Sequence, residues 1–531
     1  MRSIYKYTMI AALGMVLTSC FKDLGNYDYH YYGDFEVEEL EKSYNVTSFI
    51  ENLKITPVIK SDLKDFEYVW FITAEKVGMH RVEEYADTLS TEPVLDIPFK
   101  YPTGQYELYL KVISKDSGDA KYMKTLVNAV TPFMNGWYVL LETEDGNTEM
   151  DIHYNDGRFT GNALTEFLGN PLSGKPKFLS YIPEMSYLDE ATATNIVNYL
   201  MIPASENEMA TLNMTDMSLA RTQEQWFYGD YDFTKIHHIA AFGYSINIFA
   251  ETGVHTNYQV IPSMMSAGKF STESDLAVGL VPSITSDVCY FGDNAFFYDD
   301  AHGRFLGINY NKQMKKYNLQ YPPQVEGALP VTETIDGKII FMGGISPSGV
   351  SSYKFIEYIM IICEKEDGTR TWYYVRPDTN SACFNIIKTG TFAAGTPFAE
   401  ASHYTSSKNG ANYLYAAHEG KVYAMNPDTG SVQELTFTSL PAGEITYFQT
   451  MFNVTQDMDT EYDLNRFVIG VSQGDSYTVA QYDMIGGIPV RNQGPVKTLQ
   501  GKGKVKSIQF ACQTKKSGVM QITTSLYSIH Y

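Results

Sequence analysis

The feature that most limits how this chain can fold is a unit that recurs seven times after residue 137: an apolar strand, a turn rich in Asp, Asn or Gly, and a strand running back. The units fall at 138–141 with 150–153 around Asp145-Gly146-Asn147, at 198–202, at 238–250, and at 295–298 with 305–308 around Asp299-Asp300. They continue at 358–363 with 371–375 around Asp367-Gly368, at 412–417 with 421–426 around Gly420, and at 467–471 with 478–482 around Gly474-Asp475. A β unit repeated every several tens of residues is the spacing of a β-propeller with about seven blades, assigned here to residues 135–531. A long β-sandwich or a β-helix is the alternative. Few helices are expected; the best candidates are 191–200 and a stretch around 207–219.

Residues 35–131 carry a different β texture, that of a small immunoglobulin-like sandwich. Short alternating runs lie at 54–59, 66–72 and 121–130, with Trp70 placed where such a core takes a large ring. The clearest strand is 104–112, in which Tyr106, Leu108, Leu110 and Val112 share one face. The break at 132–136, around Pro132 and Gly136, marks the domain boundary.

The amino end reads as a targeting segment. Arg2 and Lys6 precede an apolar stretch, 8–17, too short to span a bilayer as a helix. It ends in Leu17-Thr18-Ser19-Cys20, the order of a lipobox, so residues 1–19 are expected to be removed and Cys20 to carry lipid, including palmitate. Residues 20–34 then form a tether rich in tyrosine (Tyr27, Tyr29, Tyr31, Tyr32), whose rings are expected to dock on a partner or on the sandwich. Lys22-Asp23 resembles the charged export tag of Bacteroidetes lipoproteins carried to the cell surface. A net charge of −22 argues against nucleic acid or an anionic membrane face as partner. Besides Cys20, the cysteines are Cys289, Cys363, Cys383 and Cys512, far apart and without CxxC spacing. A Cys363–Cys383 disulfide and four buried free thiols both remain open.

Several of these segments together resemble the PKD-like family lipoproteins of Bacteroidetes. They are the lipobox, then Gly25-Asn26-Tyr27-Asp28-Tyr29, Ile55-Thr56-Pro57, Glu67-Tyr68 with Trp70, the Gly104–Val112 alternation, and Gly136-Trp137 with Val139-Leu140. The resemblance covers 20–141. It implies a lipid-anchored outer-membrane protein facing the cell exterior and encoded beside a SusC/SusD-like importer. SusC-like proteins are TonB-dependent barrels and SusD-like proteins their lids. The implied role is accessory capture of an oligopeptide or glycan nutrient, with no catalytic motif and no cofactor to carry over.

Tests for chemistry point the same way. Glycoside hydrolysis needs two carboxylates facing one sugar, and Asp299 and Asp300, adjacent on a turn, point apart. Asp457, Asp459, Glu461 and Asp463 form an acidic loop with spacing suited to Ca²⁺, but without the Gly and closing Glu of an EF-hand. His237-His238 alternate across a strand, and His153, His255, His302, His403 and His418 are scattered, so no zinc site is expected. Gly474-Asp475-Ser476 is read as a hairpin turn. The aromatic content of 14% suits binding sugars, peptides or proteins. The leading expectation is a binding subunit without catalysis; the alternative is a propeller hydrolase or lyase acting on the nutrient.

Overall fold

A computed structural model describes residues 34–77, 82–101, 104–189, 194–242, 245–258, 268–274, 289–291, 294–309, 314–326, 328–349, 357–453, 464–511, 513–516 and 519–522. The chain is all-β. The α-helix among the described residues is one short turn, α1 (Ala163–Leu168).

The sandwich comprises β1 (Phe35–Val37), β2 (Ser43–Thr47), β3 (Asn52–Ile55), β4 (Ile59–Ser61), β5 (Phe66–Val77), β6 (Val82–Ser90), β7 (Leu95–Pro98), β8 (Gly104–Ser114) and β9 (Ala120–Val130). Its main sheet has the order β2-β9-β8-β5-β6, with β2 parallel to β9 and the other pairs antiparallel. Alternation sends Leu108, Leu110 and Val112 inward, where they pack with Trp70, Ile72, Leu95 and Val127. Trp70 is fully buried and its indole N–H donates to the Glu92 carbonyl (3.0 Å), so the one polar atom of the ring is satisfied. The opposite face of the sheet stays wet, with Phe71 stacked on Tyr109 and Lys111 over an exposed Tyr122.

Residues 131–136 join the sandwich to the rest without a free linker. A 3-10 turn, Pro132–Met134, buries Phe133 and Met134 against the next sheets. The Thr131 hydroxyl donates to the carbonyls of Thr215 (3.0 Å) and Met214 (3.2 Å).

Seven antiparallel groups follow. The first contains β10 (Gly136–Glu142), β11 (Thr148–Tyr154) and β12 (Phe159–Thr160). The second is β13 (Pro176–Asp189), β14 (Thr194–Ser205) and β15 (Leu212–Asn213). The third is β16 (Ile236–Phe242), β17 (Ser245–Ala250) and β18 (Gly253–Tyr258). The fourth is β19 (Cys289–Phe291), β20 (Asn294–Asp299), β21 (Arg304–Asn309) and β22 (Met314–Tyr321), on which β23 (Val331–Glu333) pairs. The fifth is β24 (Lys338–Ile345), β25 (Tyr358–Glu364), β26 (Arg370–Asp378) and β27 (Cys383–Thr391); parallel pairing of β22 with β27 fuses it to the fourth. The sixth is β28 (His403–Ser406), β29 (Leu414–His418), β30 (Lys421–Met425) and β31 (Val432–Leu435). The seventh is β32 (Glu444–Asn453), β33 (Leu464–Gln473), β34 (Ser476–Ile485), β35 (Ile488–Pro489) and β36 (Lys497–Lys502). Then Gly503, at φ +100°, turns the chain into β37 (Lys504–Ala511), which pairs with β10 and so joins the end of the series to its beginning. A last hairpin, β38 (Gln513–Lys516) and β39 (Val519–Ile522), lies near β8.

The innermost strands, β37, β13, β16, β19, β24, β28 and β32, stand side by side in a nearly closed ring. Short polar side chains link them. Ser180 Oγ accepts from Ile239 N–H (3.4 Å), Ser406 Oγ donates to the Gly344 carbonyl (2.7 Å), Thr450 Oγ1 donates to the Ser406 carbonyl (2.5 Å), and Gln509 donates to the Leu179 carbonyl (3.0 Å). Between successive groups lies a separate apolar core, and each middle strand feeds two of them. On β25, Ile359, Ile361 and Cys363 face the fourth group, whereas Met360 and Ile362 face the sixth.

The helix expected at 191–200 is not formed over its described residues, 194–200. Residues 194–205 are β14, whose Leu200, Met201 and Ile202 are all fully buried on alternating sides. This agrees with the strand expected at 198–202; an apolar run buried on both faces has no period-2 signal to mark where that strand begins. The second expected helix, around 207–219, is a turn region holding the two-residue β15, with Met217 at φ +61° and Asn213 Oδ1 accepting from Thr215 N–H (3.0 Å).

Candidate functional site

Most of the residues singled out in the sequence do not converge. Cys20, Lys22, Asp23, the tether tyrosines, the Asp457, Asp459, Glu461 and Asp463 loop, and Cys512 lie outside the described residues. Cys363 and Cys383 are buried free thiols on β25 and β27, with β26 between them. Cys289 opens β19. Gly474 and Asp475 form the tight turn between β33 and β34. Asp299 is fully buried in the β20–β21 turn, where it accepts from His302 Nδ1 (2.8 Å) and Arg304 Nε (2.7 Å). Burial pushes the Asp300 carboxyl up to about 6. Among the described residues, no three His, Cys, Asp or Glu side chains are grouped to hold a metal ion, and no helix is long and apolar enough to cross a membrane.

Two places carry unusual chemistry. The first is a row on β11. Alternation puts Met150, Ile152 and Tyr154 in the apolar core and Glu149, Asp151 and His153 on the other face, all nearly inaccessible to water. Tyr477 on β34 reaches across from the seventh group: its hydroxyl donates to Asp151 Oδ2 (2.6 Å) and lies 2.9 Å from His153 Nε2. With the tyrosine proton directed to the carboxylate, His153 serves as donor through Nε2. Asp151 Oδ1 accepts from Asn162 N–H (2.9 Å) and Glu149 from Thr165 N–H (3.1 Å), at the start of α1. Desolvation raises Glu149 to about 7 and lowers His153 to about 4. Gly501 is required beside this row, because a Cβ there would fall on the Asp151 carboxylate and the Tyr477 ring. Every oxygen of the row is engaged by the fold, and it fastens the seventh group to the first.

The second place is one mouth of the ring. Lys504 at the start of β37 lies 3.6 Å from Glu444 at the start of β32. His403 at the start of β28 interacts with Thr446, Lys506 and Glu444. Lys177 at the start of β13 interacts with His237 at the start of β16. The far ends also meet each other, as in the Ser346 N–H to Ser407 carbonyl bond (3.2 Å). Strand starts therefore gather at one mouth and strand ends at the other. The sandwich enters at the strand-end side, since Gly136, directly after the 131–135 junction, pairs with Ala511 at the end of β37. The mouth at which the strands carrying Lys177, His237, Lys338, His403, Lys504 and Lys506 begin thus faces away from the sandwich, and carboxylates stand among these residues: Glu206, Asp232 and Glu251 near Lys177, Asp300 near Lys338 and Glu444 near Lys504.

Sequence reasoning passed over both places. The signal for the first was three titratable residues at alternate positions in Thr148-Glu149-Met150-Asp151-Ile152-His153-Tyr154. For the second it was Lys502-Gly503-Lys504-Val505-Lys506. A third oddity is Arg221, a buried guanidinium held between the rings of Tyr187 (4.8 Å) and Trp226 (5.2 Å), with no carboxylate paired to it among the described residues.

Residues 20–176 match the model of the PKD-like family, so the match runs through the sandwich and beyond the first group of the ring to the start of β13. No curated protein matches the chain. Among solved structures, a quinonprotein alcohol dehydrogenase-like protein from Bacteroides thetaiotaomicron is 12% identical. The alignment covers 89% of this chain and 97% of that one, with a TM-score of 0.36. A putative 6-phosphogluconolactonase from Bacteroides fragilis is 11% identical, with 72% and 99% covered and a TM-score of 0.34. AztD from Citrobacter koseri is 10% identical, with 83% and 97% covered and a TM-score of 0.32.

Proposed function

We propose that this chain is a surface-exposed outer-membrane lipoprotein, anchored through Cys20, that serves as an accessory ligand-binding and assembly subunit of a SusC/SusD-like TonB-dependent importer of oligopeptides or glycans. In this reading the ring is a β-propeller of seven blades and the sandwich is the spacer above the lipid. The observation that carries the reading is the arrangement of the two mouths. The sandwich docks at the strand-end side, and the opposite mouth faces away from the sandwich. A receptor gains by this because capture beside the importer raises local ligand concentration without new chemistry. The buried carboxylates Glu149, Asp151 and Asp299 are engaged by backbone, tyrosine, histidine and arginine partners.

The test is a pull-down of the acylated full chain from outer membranes, beside a Cys20→Ala variant. Recovery of a TonB-dependent barrel and its lid with the wild type, lost or much reduced with the variant, supports the reading. Recovery of neither, with turnover of a polymer by the purified chain, replaces it with the enzyme reading.

A further inference from the structure

Where the seventh group meets the first, on the side at which the sandwich docks, two cations share one carboxylate. Arg466 on β33 is paired with Asp483 on β34 (3.0 Å), and Gln493 Nε2 donates to the other oxygen of Asp483 (3.3 Å). Arg466 Nη1 also donates to Gln481 Oε1 (3.1 Å), and Gln481 stands directly opposite Lys497 in the pairing of β34 with β36. Directly opposed residues of an antiparallel pair carry their side chains on one face, within contact of each other. Lys497 is half-buried and gives one hydrogen bond, to Asn155 Oδ1 (3.1 Å), across the gap between the two groups. It forms no ion pair among the described residues, and the charge that acts on it is the like charge of Arg466.

The other carboxylates around this place are engaged elsewhere. Asp151 accepts from Tyr477 and Asn162, Asp156 is paired with Arg158 (2.6 Å), and Glu51 of the sandwich acts on Arg158. His153, a neighbour of Lys497, is held neutral by burial. Two positive charges therefore face one negative charge. Gln481 is fully buried, and its amide Nε2 has no hydrogen-bond partner. A buried donor without an acceptor, and an ammonium that has lost water without gaining a counter-charge, are both stabilised by an incoming oxyanion. Beside them Phe159 lays its ring on His153 (4.6 Å between centroids) and keeps 51% of its surface in solvent. An excess of one positive charge fits a carboxylate rather than a doubly charged phosphate, and the exposed ring fits an apolar body attached to it. A peptide that ends on an apolar residue offers both.

We propose that this place, between β36 and the hairpin of β11 and β12, binds the terminal carboxylate of an oligopeptide whose last residue is apolar. Lys497 holds the carboxylate and Phe159 the last side chain. This names a ligand for the receptor reading and rests on it. The purified full chain is titrated calorimetrically with acetyl-Ala-Ala-Leu as the free acid, with the same peptide as its amide, and with glucuronate, a carboxylate on a polar ring. The free acid is expected to bind, and the amide and glucuronate to bind at least about tenfold more weakly. Lys497→Met keeps the stem and removes a half-desolvated charge. It should fold with an unchanged melting temperature and bind the free acid at least about tenfold more weakly, and Phe159→Ala, at an exposed position, about threefold more weakly. Equal binding of acid and amide, glucuronate bound as tightly as the peptide, or no binding of the acid overturns the proposal. So does peptide binding that Lys497→Met and Phe159→Ala leave unchanged, which would reduce the lysine to a brace for Asn155. Barrel and lid recovered in the pull-down under those outcomes would leave the receptor reading standing and remove only this ligand.

Discussion

The sandwich and the ring are both built from antiparallel hairpins, yet their strands are written differently, and the number of neighbours each sheet has accounts for it. The main sheet of the sandwich covers one core, so β8 alternates: Leu108, Leu110 and Val112 are buried while Tyr109 and Lys111 are only partly so. A sheet of the ring is covered on both sides. On β25 Ile359, Met360, Ile361, Ile362 and Cys363 are all fully buried, and they divide between two cores. Period-2 patterning marks a sheet with one wet face, and its loss marks a sheet with none.

That contrast gives the prediction with the largest effect. In the ring both parities should be costly. Ile361→Ala and Ile362→Ala, made separately, should each destabilise by about 2–5 kcal/mol. In the sandwich only one parity should matter: Leu110→Ala should cost about as much, while Tyr109→Ala, on the wet face, should cost less than about 1 kcal/mol. Urea unfolding of the four variants measures this. A cheap Ile361→Ala beside a costly Ile362→Ala would mean that the ring sheets have a free face after all.

The same contrast explains what could be read from the sequence. The sandwich strands were legible because Tyr106 to Val112 alternates visibly. The ring hairpins were legible because their turns are punctuated by Asp145-Gly146, Asp367-Gly368, Gly420 and Gly474, which supply the positive φ that tight turns require. Within β14 the strand at 198–202 was legible but its earlier start was not, because an apolar run buried on both sides looks the same as a short buried helix. The Glu149, Asp151 and His153 row was missed because nothing local identifies the partner: Tyr477 lies 326 residues from Asp151 along the chain. The lysines and histidines at the strand starts come from segments scattered through the sequence, and only closure of the ring gathers them.

A second difference lies in how the two regions are closed. The sandwich core is apolar, whereas the ring joins its last group to its first through an apolar core and the polar row as well. Tyr477→Phe removes the hydroxyl between Asp151 and His153 and leaves two buried groups short of a partner. A loss of about 1–3 kcal/mol is expected. Hydrogen exchange should show the excess opening in β10, β11 and β37 rather than in the sandwich. Uniform loosening of both regions would show that the row is not specific to closure.

The row also gives the ring a pH dependence. Glu149 sits near 7 in the fold against 4.5 in the unfolded chain, so the folded state holds this proton more tightly. Stability from this group is therefore highest at low pH, falls as pH rises from 4.5 through 7, and then stays flat. Glu149→Gln removes the penalty while Gln Oε1 can still accept from Thr165. The variant should melt with the wild type near pH 4.5 and a few degrees above it at pH 8. His153 acts in the opposite sense. It is held near 4 against 6.5, so its contribution is lost as pH falls below 6.5. A Glu149→Gln advantage confined to acid pH would reverse the assignment of the burial penalty.

The smallest effect expected is at the junction between the two regions, and it bears most directly on how the mouth is presented. Thr131 keeps the sandwich at the strand-end side of the ring by donating to the carbonyls of Met214 and Thr215, both beyond the second group's short β15. Thr131→Val keeps the shape but removes the donor, at a cost of about 1 kcal/mol. Phe133 and Met134 would still fill the core between the first and second groups, so the melting temperature should move little. Local opening should increase, and limited proteolysis should cut the variant faster within 131–136 while the ring and the sandwich stay intact. Equal cutting rates in variant and wild type would mean that the apolar anchors alone hold the two regions in register, and that the threonine merely satisfies carbonyls it happens to meet.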